Sequence, residues 1–249
     1  MKVSDFYRFM DELAPFDRAE EFDNCGLLVG DPEQEVKKIG LALDATREIV
    51  GQAKELGIDL ILTHHPVIFH PLKRVCAGSP VYDLIRGGIS VISAHTNLDK
   101  APHGVNAILA EYYHLQNVAS PLCLDDLGRI GELETPMPVP EYARLIKESL
   151  GAQSVRYLDC GAPARKVAYI SGCGTGLFAE VLSCGVDTFI TGDLKLDHFV
   201  DAQNLGVNLI EAGHFDSENL VFRSLGRRIE EFCGIRPVLL SSENRIKTV

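Results

Sequence analysis

The feature that most constrains this chain is an apolar run over residues 60–63 that stops at His64, His65 and Pro66. A short, continuously apolar run of this kind is typical of a fully buried strand. In open α/β sheets ligands bind beyond the carboxyl ends of the strands, and imidazole is the commonest metal ligand. The run therefore predicts a metal site at the end of a buried strand. A pair of surface histidines in a loop is the alternative.

The two histidines are adjacent, so in a regular strand their side chains would point to opposite faces of the sheet. Both rings can reach one site only if the strand has ended and the backbone turns at Pro66. A residue that precedes proline is restricted to extended or turn geometry, which suits such an exit from a strand. We therefore expect the strand to stop where the histidines begin.

Two further segments have the same form, in which an apolar strand is followed at once by residues that bind metals. One segment contains His95 and Asp99, and the other contains His214 and Glu218. His214 and Glu218 are spaced i, i+4 near the start of a predicted helix, so both side chains can face the same way. A glutamate in the first turn also suits the helix dipole, which is the alternative reading of Glu218.

Three of the four histidines in these segments, together with one aspartate and one glutamate, would form a mixed set of nitrogen and oxygen ligands. Zinc, iron and manganese accept such sets, whereas an all-oxygen site would indicate magnesium or calcium. Five ligands are one too many for an ordinary tetrahedral site. Shared between two ions about 3.5–4 Å apart, with Glu218 bridging, they would suit a two-metal centre.

Strands and helices alternate in both halves of the chain, which predicts an α/β protein. At 249 residues the chain could form one large domain or two small ones. The alternation is lost over residues 114–137, so we place a domain boundary there. The predicted domains are residues 1–126 and 127–249, with the C-terminal segment expected to pack back on the first domain.

Charge and composition argue against several kinds of binding partner and several kinds of protein. The formal net charge is -11, which argues against a nucleic-acid backbone as partner. No apolar stretch approaches the ~20 residues that span a membrane, and no signal peptide is evident. The seven cysteines include no Cys-x-x-Cys pair, which argues against a disulfide framework or a thiolate zinc site. We expect a cytoplasmic protein whose cysteines are mostly small buried hydrophobic residues.

Two supporting features leave alternatives open. The glycine-rich segment 172–176 follows a predicted strand and could bind phosphate through backbone N–H groups, although it lacks the ending of a P-loop. A tight turn is the alternative. A ligating histidine usually has its other ring nitrogen held by a partner, and for His95 that partner could be Asp44 or Asn97. Asp23 is expected to hold a turn through side-chain-to-backbone bonds.

Five motifs then occur in one order along the chain. They are Asp23-Asn24-x-Gly26-Leu27, Thr63-His64-His65-Pro66, Ser93-Ala94-His95-Thr96-x-Leu98-Asp99, Thr191-Gly192-Asp193 and Gly213-His214-x-x-x-Glu218. In this combination the chain resembles the NIF3-like family, whose members are also labelled GTP cyclohydrolase I type 2 homologs. The resemblance covers nearly the whole chain. It implies two similar, intertwined α/β domains with a dimetal site in the cleft between them.

Carried over position by position, the resemblance implies five metal ligands: His64, His65, Asp99, His214 and Glu218. His95 and His198 would lie close to the ions without being assured ligands. Asp193 stands where glutamate is common in the family, which makes a role for that carboxylate doubtful, and Phe22 stands where tryptophan is common. Residues 114–137 are too few to hold the domain that some relatives insert, so the chain is similar to the short form.

The implied function is the binding of two divalent ions, which could be zinc, iron or manganese, together with hydrolysis of a nucleotide-like substrate. The family label implies opening of the purine ring of GTP, and a phosphoesterase would use the same metals. A non-catalytic metal-binding scaffold or regulatory hexamer is the alternative. His95 is the candidate for a general acid or base. The resemblance also implies a toroidal homohexamer, built as a trimer of dimers, and a nucleotide or small phosphorylated ligand as partner.

Overall fold

The computed structural model describes residues 1–241, 244 and 246–247. Within them the helices are α1 (Val3–Leu13), α2 (Arg47–Leu56), α3 (Pro80–Gly87), α4 (Thr96–Lys100), α5 (Val105–Tyr112), α6 (Val139–Leu150), α7 (Phe178–Ser183), α8 (Leu196–Leu205), α9 (His214–Glu218) and α10 (Val221–Cys233). The strands are β1 (Gly26–Val29), β2 (Ile39–Ala42), β3 (Leu60–Thr63), β4 (Ser90–Ser93), β5 (Gln116–Ala119), β6 (Arg129–Met137), β7 (Arg156–Leu158), β8 (Ala164–Tyr169), β9 (Thr188–Thr191), β10 (Asn208–Glu211) and β11 (Val238–Leu239). The predicted α/β class is confirmed.

The chain divides into two compact units. The first consists of Met1–Gly104 and Val221–Glu243, and the second of Val105–Leu220 and Asn244–Val249, as far as these ranges are described. The boundary predicted after residue 126 lies inside the second unit. α10 and β11 belong to the first unit although they follow the second along the chain.

The first unit contains a five-stranded sheet in the order β1-β4-β3-β2-β11. β3 pairs in parallel with β2 and with β4, and β11 pairs in parallel with β2, whereas β1 runs antiparallel to β4. All four residues of β3 are buried, which confirms the predicted buried strand. Helix α2 begins at Thr46, whose side chain accepts a hydrogen bond from Ile49 N–H. It ends at Gly57, which has a left-handed φ of 64° as a C-cap glycine does.

The second unit contains a six-stranded sheet in the order β5-β6-β8-β9-β10-β7. β8, β9 and β10 are parallel neighbours, and β5, β6 and β7 join the sheet by antiparallel pairing. Residues 114–137, whose pattern had suggested a boundary, include the paired strands β5 and β6. The alternation is lost there because all four residues of the edge strand β5 are exposed.

The sequence pattern predicts a single long helix from about Asp216 to Phe232, and this prediction is wrong. The structure has two helices, α9 and α10, with a turn at residues 219–220. Glu218 at the end of α9 is buried in the second unit, and the apolar face of α10 is buried in the first. A continuous helical pattern cannot show that its two ends pack in different cores.

The prediction that the cysteines are mostly buried is also wrong. Three are exposed (Cys76, Cys123 and Cys173) and four are partly exposed (Cys25, Cys160, Cys184 and Cys233). Composition cannot separate a buried thiol from an exposed one, because cysteine is small and only weakly polar. Among the described residues, the helices are all too short or too polar to cross a membrane.

Candidate metal centre

In the first unit, the polar residues of interest follow three parallel strands whose ends are level. The register pairs Ala42 with Thr63 and Thr63 with Ser93, which are the last residues of β2, β3 and β4. Asp44, the two histidines after Thr63, and His95 therefore emerge at one edge of the sheet. This is the edge at which open α/β sheets bind ligands.

Three imidazole rings converge at this edge. β3 ends at Thr63, and the rings of His64 and His65 lie together with centroids 5.2 Å apart, which confirms that the strand stops before the pair. The ring of His95 lies 5.1 Å from that of His64 and 5.6 Å from that of His65. One ligand nitrogen from each ring lies within 4.8 Å of the other two, so the three form a group that could hold a metal ion.

Each of the three rings donates its Nδ1–H to a fixed acceptor. His64 donates to the carbonyl oxygen of Ala94 at 2.9 Å, and His65 donates to Asp44 Oδ1 at 2.8 Å. The Nδ1 of His95 lies 2.9 Å from Asp23 Oδ1. A carbonyl or an ionised carboxylate can only accept, so Nδ1 carries the proton and a neutral ring keeps its lone pair on Nε2. Metal-ligating histidines are usually held in this way.

The partner predicted for His95 was wrong. Asp44 holds His65 instead, and the side chain of Asn97 donates to the carbonyl oxygen of Ala14 at 2.6 Å. The partner is Asp23, because β1 runs antiparallel to β4 with Gly26 opposite Ser93. That pairing brings the residues before β1 to the edge at which β4 ends. The sequence does not show the direction of β1, and so this partner was missed.

Asp23 does more than hold a turn. Its side chain is fully buried and accepts hydrogen bonds from the backbone N–H and the hydroxyl of Thr96 as well as from His95. Burial alone would raise the pKa of Asp23, but the hydrogen bonds from His95 and Thr96 hold it well below its usual range. Asp23 therefore stays ionised and fixes the orientation of the His95 ring.

Asp99 supplies a carboxylate beside the three rings. It lies in α4, a short helix that begins directly after His95 and that the sequence pattern did not predict. Asp99 Oδ1 lies 3.6 Å from Nε2 of His64, and both residues are buried. A buried carboxylate next to imidazole nitrogens completes a mixed set of donors that zinc, iron and manganese accept.

The second unit has a smaller set of polar residues at the edge of the sheet where its own parallel strands end. Thr191 at the end of β9 pairs with Glu211 at the end of β10, so Asp193 and His214 follow level strand ends. His214 donates its Nδ1–H to Asp193 Oδ2 at 2.6 Å. The doubt that the sequence raised about Asp193 is removed, because its carboxylate is long enough to hold this ring.

The pairing of His214 with Glu218 is as the i, i+4 spacing predicted. His214 Nε2 lies 3.1 Å from Glu218 Oε2, and the Glu218 side chain is only 3% exposed. Burial alone would lower the pKa of His214, but the hydrogen bonds and charges of Asp193 and Glu218 raise it to about 10. The His214 ring therefore stays protonated at neutral pH, between the carboxylates of Asp193 and Glu218.

Two glycines make room for this pair. A Cβ atom at Gly172 would lie 2.3 Å from Glu218 Oε1 and 3.2 Å from His214 Nε2, and Gly172 also has a positive φ of 57°. A Cβ at Gly192 would lie 2.8 Å from the Cα of His214. The segment 172–176 is thus the wall of the His214 pocket. Its Gly174 N–H donates to Thr191 Oγ1 at 2.9 Å, which favours the tight turn over a phosphate loop.

His198 lies at the start of α8. Its Nδ1 accepts a hydrogen bond from the backbone N–H of Lys195 at 3.1 Å, and its ring packs edge-on against Phe178 with centroids 5.1 Å apart. These contacts describe a helix-capping role. Its predicted location close to the ions stays a prediction.

Comparison with known proteins identifies the family of the chain. The family model described as Duf34/NIF3 (NGG1p interacting factor 3) matches residues 1–244. The chain belongs to the Duf34/NIF3 family. This confirms the resemblance that the five motifs had indicated.

Curated members of the family carry the name GTP cyclohydrolase 1 type 2 homolog. The protein of that name from Clostridium perfringens is 36% identical over 241 residues, covering 93% of this chain and 92% of the relative. The one from Streptomyces coelicolor is 37% identical over 233 residues, covering 87% of this chain and 81% of the relative. Both relatives thus align with this chain over most of their length.

Solved structures show the same fold. Staphylococcus aureus protein SA1388 superposes with a TM-score of 0.91 at 28% identity, covering 100% of this chain and 99% of that protein. A structure described as reduced HcgD from Methanocaldococcus jannaschii superposes with a TM-score of 0.87 at 29% identity, covering 97% and 98%. The α/β architecture with two sheets is therefore that of the NIF3 family.

Proposed function

We propose that the chain binds two divalent metal ions and hydrolyses a nucleotide-like substrate. The ligands would be His64, His65 and Asp99 of the first unit and His214 and Glu218 of the second. The observation that carries the proposal is the common orientation of the histidines. Each ring has its Nδ1–H bonded to an acceptor, so Nε2 is the nitrogen through which each ring would bind a metal ion.

The supporting residues have defined tasks in this proposal. Asp44 and Asp193 accept the Nδ1 protons of His65 and His214, which fixes the tautomer and raises the basicity of Nε2. Asp23 does the same for His95, which makes His95 a candidate to accept or donate a proton beside the ions. When bound, divalent ions polarise the group under attack and lower the pKa of water, which is the chemistry of hydrolysis.

Measuring the metal content of the purified protein tests the proposal that the chain binds two divalent ions. After reconstitution with zinc, iron or manganese and removal of the free metal, inductively coupled plasma mass spectrometry of the wild type should give two equivalents per chain. His64→Ala and His214→Ala should each lower the stoichiometry. His103→Ala removes an exposed histidine and is the matched control. Well under two equivalents in the wild type would contradict a two-metal centre.

A turnover assay tests the hydrolase part. The metal-loaded protein is incubated with GTP and with generic phosphoesters, and the products are followed by liquid chromatography. Turnover that persists in His103→Ala and is lost in His64→Ala supports an enzyme. The name of the curated relatives supports GTP as the first substrate to test.

A non-catalytic scaffold is the second candidate, and the burial of the ligands favours it. His64 is fully buried, and Asp99 and Glu218 are nearly so, which resembles a structural site more than an open catalytic one. Metal binding would then add directly to folding stability. A large loss of melting temperature on chelation, with no turnover of GTP or phosphoesters, would support the scaffold.

We also propose the homohexamer that the family resemblance implies. Leu196 is 78% exposed and Val200 is 48% exposed, and the two lie one turn apart on α8. The two side chains form an exposed apolar strip on one helix face, and a contiguous apolar patch is what a subunit interface would cover. Light scattering coupled to size-exclusion chromatography should give the mass of six chains, and a monomer would refute the proposal.

A further inference from the structure

Two thiols outside the candidate metal centre lie in contact with each other. The Sγ atoms of Cys123 and Cys184 are 3.2 Å apart, although the residues are separated by 61 positions in the chain. Cys123 is exposed and Cys184 is partly exposed. We propose that Cys123 and Cys184 form a peroxide-sensitive modification site, which closes reversibly to a disulfide within one chain.

The local framework holds the two residues in place. Cys123 lies in the 3₁₀ turn Leu122–Leu124, and Cys184 directly follows α7. The neighbouring side chains Leu124 and Val181 are fully buried in one core cluster of the second unit, and Cys184 packs against the same cluster. Because a disulfide has an S–S length of about 2.05 Å, the sulfur atoms need to approach by only about 1.2 Å from 3.2 Å.

The surroundings give the two thiols different tasks. Cys123 is the more exposed, so a peroxide in solution reaches it first. Burial and the neighbouring Cys123 raise the pKa of Cys184, and the positive charge of Lys166 opposes that rise. The Nζ of Lys166 is held nearby because it donates to the carbonyl oxygen of Cys184 at 2.8 Å. Cys184 is therefore the resolving thiol.

The reaction balances with a peroxide as the oxidant. The Cys123 thiol attacks the O–O bond of ROOH, which gives a sulfenic acid on Cys123 and releases ROH. The Cys184 sulfur then attacks the Cys123 sulfur, forming the S–S bond and releasing water. The two thiols lose two electrons and two protons in total, and the peroxide is reduced. A small thiol such as glutathione reverses the modification by exchange.

Thiol counting and peptide mapping test the proposal. Reduced wild-type protein is treated with an equimolar amount of hydrogen peroxide, its remaining thiols are alkylated, and the chain is digested without reductant. Free thiols should fall from seven to five per chain. The main cross-linked peptide pair should contain Cys123 and Cys184, and dithiothreitol should separate it.

Variants locate the site. Cys184→Ser should leave a sulfenic acid on Cys123 that dimedone traps, and Cys123→Ser, which changes an exposed position, should abolish the cross-link without risk to folding. Cys173→Ser is the matched control. Cys173 is also exposed, but its sulfur contacts the hydroxyl of Thr175 at 3.1 Å, so its loss should not affect the cross-link.

Two results would overturn the proposal. One is oxidation of Cys123 to sulfinic acid in the wild type without a Cys123–Cys184 peptide. The other is a cross-link that joins two chains, which appears when isotopically light and heavy proteins are mixed before oxidation. Neither result bears on metal binding, so the test is independent of the proposed function.

Discussion

The two units place polar residues at the carboxyl ends of three parallel strands, but with different chemistry. The first unit presents three imidazoles, each held by an acceptor, and the second presents one imidazole, two carboxylates and two glycines. In the second unit His214 and Glu218 already neutralise each other at 3.1 Å. The three imidazole nitrogens of the first unit therefore favour the binding of a cation. In the second unit, a proton between His214 and Glu218 can take the place of a metal ion.

The largest effect is expected from the first unit. His65→Ala removes one of three converging nitrogens, and the metal affinity should fall by more than the ~100-fold that loss of a supporting residue costs. Isothermal titration with zinc measures the affinity. His103→Ala should bind like the wild type. An unchanged affinity in His65→Ala would contradict the assignment of His65 as a metal ligand.

The second-largest effect is expected on the stability of the protein, when a side chain fills the space beside His214 and Glu218. Gly172→Ala would place a Cβ 2.3 Å from Glu218 Oε1 at a positive φ of 57°, and it should lower the free energy of unfolding by ~3 kcal/mol. Urea unfolding measures the change.

Two controls separate the causes of that destabilisation. Gly185→Ala also has a positive φ, at 63°, but its Cβ would meet no atom within 4 Å, so it should cost only about 1 kcal/mol. Gly176→Ala, at which a Cβ also meets no atom within 4 Å, should be nearly neutral. Equal effects of Gly172→Ala and Gly185→Ala would mean that the clash with Glu218 is unimportant.

A smaller effect is expected at Asp193. Asp193→Asn keeps the size of the side chain but removes the charge that holds His214 protonated, so the pKa of His214 in the metal-free protein should fall from about 10 toward its ordinary value. The sign follows from linkage. Protonated His214 stabilises the metal-free fold fully below pH ~6.5, and that contribution is lost as the pH rises through about 10.

An NMR titration of the metal-free protein measures the pKa of His214 in both forms. Asp197→Asn removes an exposed carboxylate that caps the backbone N–H of His198 and should leave the His214 titration unchanged. If His214 titrates in Asp193→Asn as it does in the wild type, the raised pKa of His214 does not depend on the charge of Asp193.

The smallest effect is expected at Asp44. Its side chain is 46% exposed, and so its bond to His65 is partly screened by solvent. Asp44→Asn should weaken zinc binding by about tenfold, at the lower end of what supporting residues contribute. Asp17→Asn changes an exposed aspartate of the same unit and serves as the control. A loss as large as that of His65→Ala would mean that Asp44 itself binds the ion.

Several features of the fold could be predicted from the sequence because they depend only on residues that are close together in the chain. The run before His64 predicts β3 and its end, and Gly57 predicts the end of α2. The i, i+4 spacing predicts the contact of His214 with Glu218. The break between α9 and α10 was not accessible, because it depends on which core buries each helix. The partner of His95 was missed because a strand's direction depends on distant pairing.

The sequence by itself determined which residue types follow the strands, because each apolar run and the polar residues that end it are visible directly in the amino-acid sequence. It also determined membership of the NIF3 family. Only the tertiary structure decided which acceptor holds each imidazole and which thiols touch. Asp23 contacts His95, which is 72 positions away in the sequence, because of strand pairing. Cys123 contacts Cys184, which is 61 positions away, because of core packing. Contacts between residues so far apart depend on the whole fold, and no local pattern specifies them.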